Sequence, residues 1–126
     1  MKELVFPNAP KIAAHYAPAV LEESSGTVYV SGQLPIDPVT RIQCRGDVRE
    51  QTLCALTNVE KILHEAGGGR GNILRTTAYV DDIASWDAVN DAYREFFGAK
   101  KPARTIVCVP AIHFGMKIEI EAIAHV

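Results

Sequence analysis

Apolar and small residues recur at three-and-four spacing over a long stretch that begins just after Asp47. Val48, Thr52, Ala55, Leu56, Val59, Ile62, Leu63 and Ala66 form one stripe, with Arg49, Glu60 and Lys61 off it. This spacing predicts an amphipathic helix. Asp47 is its N-cap, and Glu50, three residues on, makes an Asp-initiated capping box. Gly67-Gly68-Gly69 stops it, because glycine accepts the left-handed conformation found just past a helix end. A second helix is bracketed by Ser85 as N-cap and Gly98. Trp86, Val89, Tyr93, Phe96 and Phe97 share one face of it, and Asp87, Asn90, Asp91 and Arg94 lie away from that face.

Between the helices, Ile73 to Val80 is rich in Thr, Tyr and branched residues and predicts a strand. Thr27–Val30 running into Ser31-Gly32, Arg104–Val109 and Met116–Ala124 read the same way, and Tyr16–Leu21 is a weaker extended segment. Pro102 falls just outside a strand, where its missing N–H does little harm. Strands first, then strand–helix alternation, then two closing strands predict one α+β domain over residues 1–126. Its two helices pack on one face of a mixed sheet.

Composition changes this picture little. At 126 residues, 48% hydrophobic and 22% charged, the chain matches an ordinary globular domain rather than a disordered or fibrous one. Thirteen basic against fifteen acidic residues leave a net charge of -2, which argues against a nucleic-acid partner. Leu4, Val5 and Phe6 before Pro7 are too few for the apolar region of a signal peptide, and no apolar run reaches bilayer length. No membrane partner is expected. Three cysteines (Cys44, Cys54, Cys108) without a CxxC pair predict reduced thiols and a cytoplasmic location. His15, His64, His113 and His125 lack metal-ligand spacing, so no metal is expected.

The last strand is the most informative. Alternation puts Met116, Ile118, Ile120, Ala122 and Ala124 on one face, under the helices, and Lys117, Glu119, Glu121, Ile123 and His125 on the other. On the preceding strand Arg104 shares its face with Ile106 and Cys108. If these two strands neighbour each other, Arg104 and Glu119 lie across one partly covered face whose cover comes from elsewhere. The plain alternative is a surface ion pair worth ~0–1 kcal/mol. Taken alone, Ser31-Gly32 reads as a bend or bulge, Tyr16 as half core, Asn90 as an exposed helix residue, and His113 and Cys108 as structural. Gly67 to Gly71 follows a helix instead of linking strand to helix, so it is no phosphate loop.

Six segments stand in order along the chain: Asn8-Ala9-Pro10, Ser31-Gly32-Gln33-Leu34-Pro35, Thr76 to Asp82, Val89 to Phe97, Pro102-Ala103-Arg104-Thr105, and Lys117 to Ala124. Together they resemble the Rid family (YjgF/RidA-type reactive-intermediate deaminases) over nearly the whole chain. The resemblance implies a chorismate-mutase-like fold, a homotrimer around a barrel-like core, and sites in the clefts between subunits. It implies hydrolysis of enamines and imines such as 2-aminoacrylate to 2-keto acids and ammonia, with a small imino or keto acid as ligand and no cofactor. By the same resemblance, Arg104 clasps the substrate carboxylate and Glu119 readies the attacking water. Tyr16, Ser31 and Asn90 line the cleft, and Ile106 contributes its backbone. Alternatives within the resemblance are an aminomuconate-type catabolic deaminase and a keto-acid-binding, chaperone-like regulatory trimer.

The chain departs from the family pattern at four places. Ala14-His15 replace Gly-Pro ahead of Tyr16, and Arg104-Thr105-Ile106 replace Arg-Ser-Cys. Ala111 to Gly115 replace a Leu-Pro segment with charged residues, and Arg41 takes the place of a turn glycine. The clasp and the acid survive these changes; they bear on pocket size and selectivity.

Overall fold

The computed structural model describes residues 1–126. Six strands, β1 (Lys2–Leu4), β2 (Ala19–Glu22), β3 (Thr27–Gln33), β4 (Ile73–Val80), β5 (Ala103–Cys108) and β6 (Ile118–His125), form one sheet in the order β1-β2-β3-β6-β4-β5. Every neighbouring pair is antiparallel except β4 and β5. Parallel neighbours need a crossover, and helix α2 (Trp86–Phe97) supplies it, while α1 (Val48–His64) joins β3 to β4. Both helices lie on one face of this mixed sheet, as the periodicity predicts.

The α1 stripe buries Thr52, Ala55, Leu56, Val59, Ile62 and Leu63 against Val28, Val30, Ile118, Ile120 and Ala124 of the sheet. Each fully enclosed Leu, Ile or Val there contributes about 1.5–3 kcal/mol relative to exposure. Asp47 caps α1 as expected, its Oδ1 accepting the Glu50 N–H at 2.8 Å. The capping box is half formed. Glu50 folds its carboxylate over Gly46 instead of reaching back, and a Cβ at Gly46 would sit 2.7 Å from Glu50 Cδ. At the far end Gly67, at φ +77°, turns the chain out of the helix.

At α2 the expected cap shifts. Ser85 already has helical backbone angles and caps nothing, because a 3-10 turn at Ile83–Ser85 runs straight into the helix. Asp82 caps that turn, its Oδ1 accepting the Ala84 N–H at 2.9 Å. Val89, Ala92, Tyr93, Phe96 and Phe97 are buried, whereas Trp86 stays 46% exposed at the helix start. Gly98, at φ +62°, ends α2 by donating to the Arg94 carbonyl.

Two buried amides anchor the segment between β3 and α1. Asn58 Nδ2 donates to the Leu34 and Ile36 carbonyls at 3.0 and 2.8 Å. Gln51 donates to the Gly46 carbonyl at 2.9 Å and accepts the Lys117 N–H at 2.8 Å. Beneath this segment Ile36, Ile112 and Met116 form a second small core. Met116 therefore belongs to that anchor, not to β6.

Candidate active site

The strand register separates the two principal residues. β4 lies between β5 and β6, so the last two strands are not neighbours. Arg104 pairs with Thr76 and Thr76 with Ala122, all on the helix side. Glu119 pairs with Tyr79 and Tyr79 with Val107, all on the opposite side. The expectation that Arg104 and Glu119 share one face of one sheet is thus not met. Register, which a lone sequence does not display, sets the parity between strands.

Arg104 stands half-buried on the edge strand β5 beside α2. Its guanidinium carbon lies 4.8 Å from the Tyr93 ring centroid and 5.5 Å from that of Trp86. These rings hold the cation by its face and leave its rim of donors free; no carboxylate of the chain pairs with it. Tyr93 is held in turn by Thr76, hydroxyl to hydroxyl at 2.7 Å. Burial pushes the Tyr93 phenol up to about 12, against the opposing effects of Thr76 and Arg104, so it stays neutral beside the cation. Asn90 is half-buried, one turn beyond Trp86 and one before Tyr93. Ile106, next along the Arg104 side of β5, packs against the main core.

Glu119 belongs to a second constellation. A break in the β3–β6 register between Val30 and Gln33 marks a bulge at Ser31-Gly32, as the sequence reading holds. The Glu119 carboxyl lies directly over Gly32, and a Cβ there would come within 3.0 Å of its Cδ and closer still to Oε1. Gly32, Tyr79, Ile112, His113, Glu119 and Glu121 line a cavity of about 400 Å³. Burial pushes the Glu119 carboxyl above the usual carboxylate range; the charge of His113 opposes this and that of Glu121 adds to it. Glu121 is engaged by the Tyr79 hydroxyl, which donates to it at 2.6 Å.

Ser31 and Tyr16 sit next to this cavity. The Ser31 hydroxyl donates to the Ala17 carbonyl at 2.7 Å and its N–H to the Pro18 carbonyl at 3.0 Å. Those bonds pin the segment that carries Tyr16, which is 55% exposed. Tyr16 lines an adjoining cavity of about 440 Å³ that shares Gly32 with the first.

The six residues implied by the resemblance thus fall into two groups. Arg104, Ile106 and Asn90 gather at the β5–α2 edge; Glu119, Ser31 and Tyr16 gather around the β3 bulge on the other side. The sequence reading did not find Trp86 and Tyr93 as the aromatic seat of Arg104, nor Gly32 as the cradle of Glu119, nor His113 as its cavity neighbour. The helical spacing of Trp86, Asn90 and Tyr93 was a usable signal for the first. Nothing local marks the others, since a bulge and a loop bring them together.

The fold and the sequence both have known relatives. The sequence profile of the endoribonuclease L-PSP family matches residues 6–126. A RutC family protein of Pyrococcus horikoshii is 38% identical, covering 99% of this chain and 98% of its own. A 2-iminobutanoate/2-iminopropanoate deaminase of Capra hircus is 40% identical over 92% of this chain and 83% of its own. The crystal structure of the Escherichia coli YjgF gene product superposes with a TM-score of 0.88 at 36% identity, covering 99% and 98% of the two chains. The two-helix, six-strand architecture and these likenesses lead to one conclusion: this chain belongs to the endoribonuclease L-PSP family, that of the YjgF/RidA and RutC proteins.

Proposed function

We propose that the protein is a hydrolytic deaminase of reactive enamines and 2-imino acids, yielding 2-keto acids and ammonia, with sites completed between copies of the chain. The observation that carries this reading is the division of the site. A free guanidinium stands at the sheet edge, and a half-buried carboxylate stands in an open cavity on the opposite face. Neither half is a catalyst alone. A closed ring in which the β5 edge of one copy meets the outer face of the next brings them together, and such rings use head-to-tail contacts of this kind. A homotrimer is the assembly proposed. The 40% identity to a 2-iminobutanoate/2-iminopropanoate deaminase supports the substrate class.

In this reading Arg104 binds the substrate carboxylate through two parallel charge-assisted bonds, a geometry lysine does not reproduce. Glu119 from the neighbouring copy takes a proton from water as the oxygen attacks the imine carbon. Its raised affinity for protons makes it a stronger base than an ordinary carboxylate. Tyr16 and Asn90 orient the ligand, Ser31 holds the Tyr16 segment in place, and Ile106 borders the pocket. The imine carbon is already electrophilic, so positioning and proton transfer are enough and no cofactor enters the scheme. A phosphodiester fits poorly, because Glu119 and Glu121 would both face its charge.

The test generates 2-iminopropionate in situ with an amino-acid oxidase and traps it with semicarbazide. Wild type is expected to accelerate pyruvate and ammonia release, and Arg104→Ala to lose on the order of 10²–10³-fold. Equal rates for the two proteins would overturn the proposal. Binding of 2-ketobutyrate without turnover on any imine would instead assign a ligand-binding role to the assembly.

A further inference from the structure

We propose that His113 is the proton donor to the departing nitrogen, acting across the cavity from Glu119; this rests on the deaminase reading and adds a residue to it. The turn that carries His113 is anchored on both sides, by Ile112 and Met116 in the small second core. Within it Phe114 takes φ +59° and Gly115 φ +67°. A left-handed phenylalanine is costly and persists where the surrounding structure fixes it. Arg45 donates to the Phe114 carbonyl at 3.5 Å, and the Phe114 ring packs against that of His113 at 4.0 Å between centroids. An exposed imidazole is thereby held at the rim of the Glu119 cavity by a built turn.

The two groups line the same space of about 400 Å³ without forming an ion pair. The other ionisable groups facing it are Glu121 of β6 and Tyr79 of β4, which bond each other, while Arg45 is turned to the Phe114 carbonyl. Glu119 and His113 are left as the free pair. A carboxylate can take a proton, and an imidazolium can give one.

Water adds its oxygen to the protonated imine carbon as Glu119 takes one of its protons, and the C=N π pair moves onto nitrogen. His113 then protonates that nitrogen. The C–N bond breaks toward nitrogen as the hydroxyl oxygen forms the carbonyl, and the hydroxyl proton returns to His113. Ammonia leaves and takes up the proton held by Glu119, so one water is consumed and both side chains are restored.

Steady-state hydrolysis of 2-iminopropionate by wild type, His113→Gln and His113→Ala, from acid to alkaline pH, tests this. Wild-type kcat is expected to fall on the alkaline side, where the proton donor is lost. Both variants should show kcat about 10²-fold lower, a nearly unchanged KM and no such alkaline fall, and added imidazole should restore part of the His113→Ala rate. A His113→Gln variant with wild-type kcat and the wild-type alkaline limb overturns the assignment while leaving the deaminase reading intact. A wild type without turnover removes both. Near-ultraviolet circular dichroism checks the folding of each variant, and the glutamine variant decides if alanine disturbs the turn.

Discussion

The two faces of β6 are made by the same eight residues and have opposite character. Toward the helices, Ile118, Ile120, Ala122 and Ala124 are enclosed by side chains of the same chain. Away from them, Glu119, Glu121 and Ile123 are half-buried at best, and on the same side of the sheet Tyr29 of β3 and Val107 of β5 remain 52% and 37% exposed. The first face is closed by what the chain itself supplies. The second carries apolar area, two carboxylates and two tyrosines, Tyr29 and Tyr79, with no cover of its own. Strand alternation thus sorts the side chains that hold the fold together from those that meet something outside it.

The contrast can be broken most directly by paired substitutions. Ile120→Ala should cost about 2–5 kcal/mol in urea unfolding, because the vacated volume lies in a packed core. Val107→Asp, on the other face, should leave the chain folded and, in the proposed homotrimer, reduce the sedimenting mass from three chains to one. Equal loss of folding stability in both, at one fixed protein concentration, would erase the distinction. A smaller effect comes from the buried amide beneath the loop. Asn58→Ala leaves the Leu34 and Ile36 carbonyls without their donor, for a cost of about 1–3 kcal/mol. Hydrogen exchange should show the added opening concentrated over residues 34–46 and not in β6.

The smallest effect carries the clearest sign. Burial raises the proton affinity of Glu119 in the folded state. Its contribution to stability is therefore fully present below the unfolded carboxylate pKa and is lost as pH rises through the folded one. At neutral pH the ionised group opposes folding. Glu119→Gln should then melt slightly higher than wild type at pH 7, and the difference should shrink on acidification, while turnover disappears. A lower melting temperature at pH 7 would mean that the carboxylate stabilises the outer face.

Much of the architecture was readable from spacing. Ile73–Val80 is a strand over the stretch its residues predict, and Asp47 and Gly98 bound their helices. Elements whose signal is short or shared were harder. Lys2–Leu4 is a three-residue edge strand with no alternation to betray it, and Ser85 lost its cap to a preceding turn that begins at Asp82. For the site, residue types and order pointed to Arg104 and Glu119 through the family resemblance. Their placement on opposite faces depends on β4 inserting between β5 and β6, a pairing choice made by the whole sheet. The bulge at Ser31-Gly32 was legible, but its place beneath Glu119 was not, because that contact joins residues 87 positions apart and is made by strand pairing.

The sheet ends at β5, six residues whose far side has no strand beside it. A bare margin of this kind lets foreign chains extend the ladder and begin aggregation. Here Lys100, Lys101 and Pro102 stand immediately ahead of it. Two cations and a residue without an N–H make a poor template at the point where added chains would start, so the three residues leading into the strand that carries the arginine work against such extension.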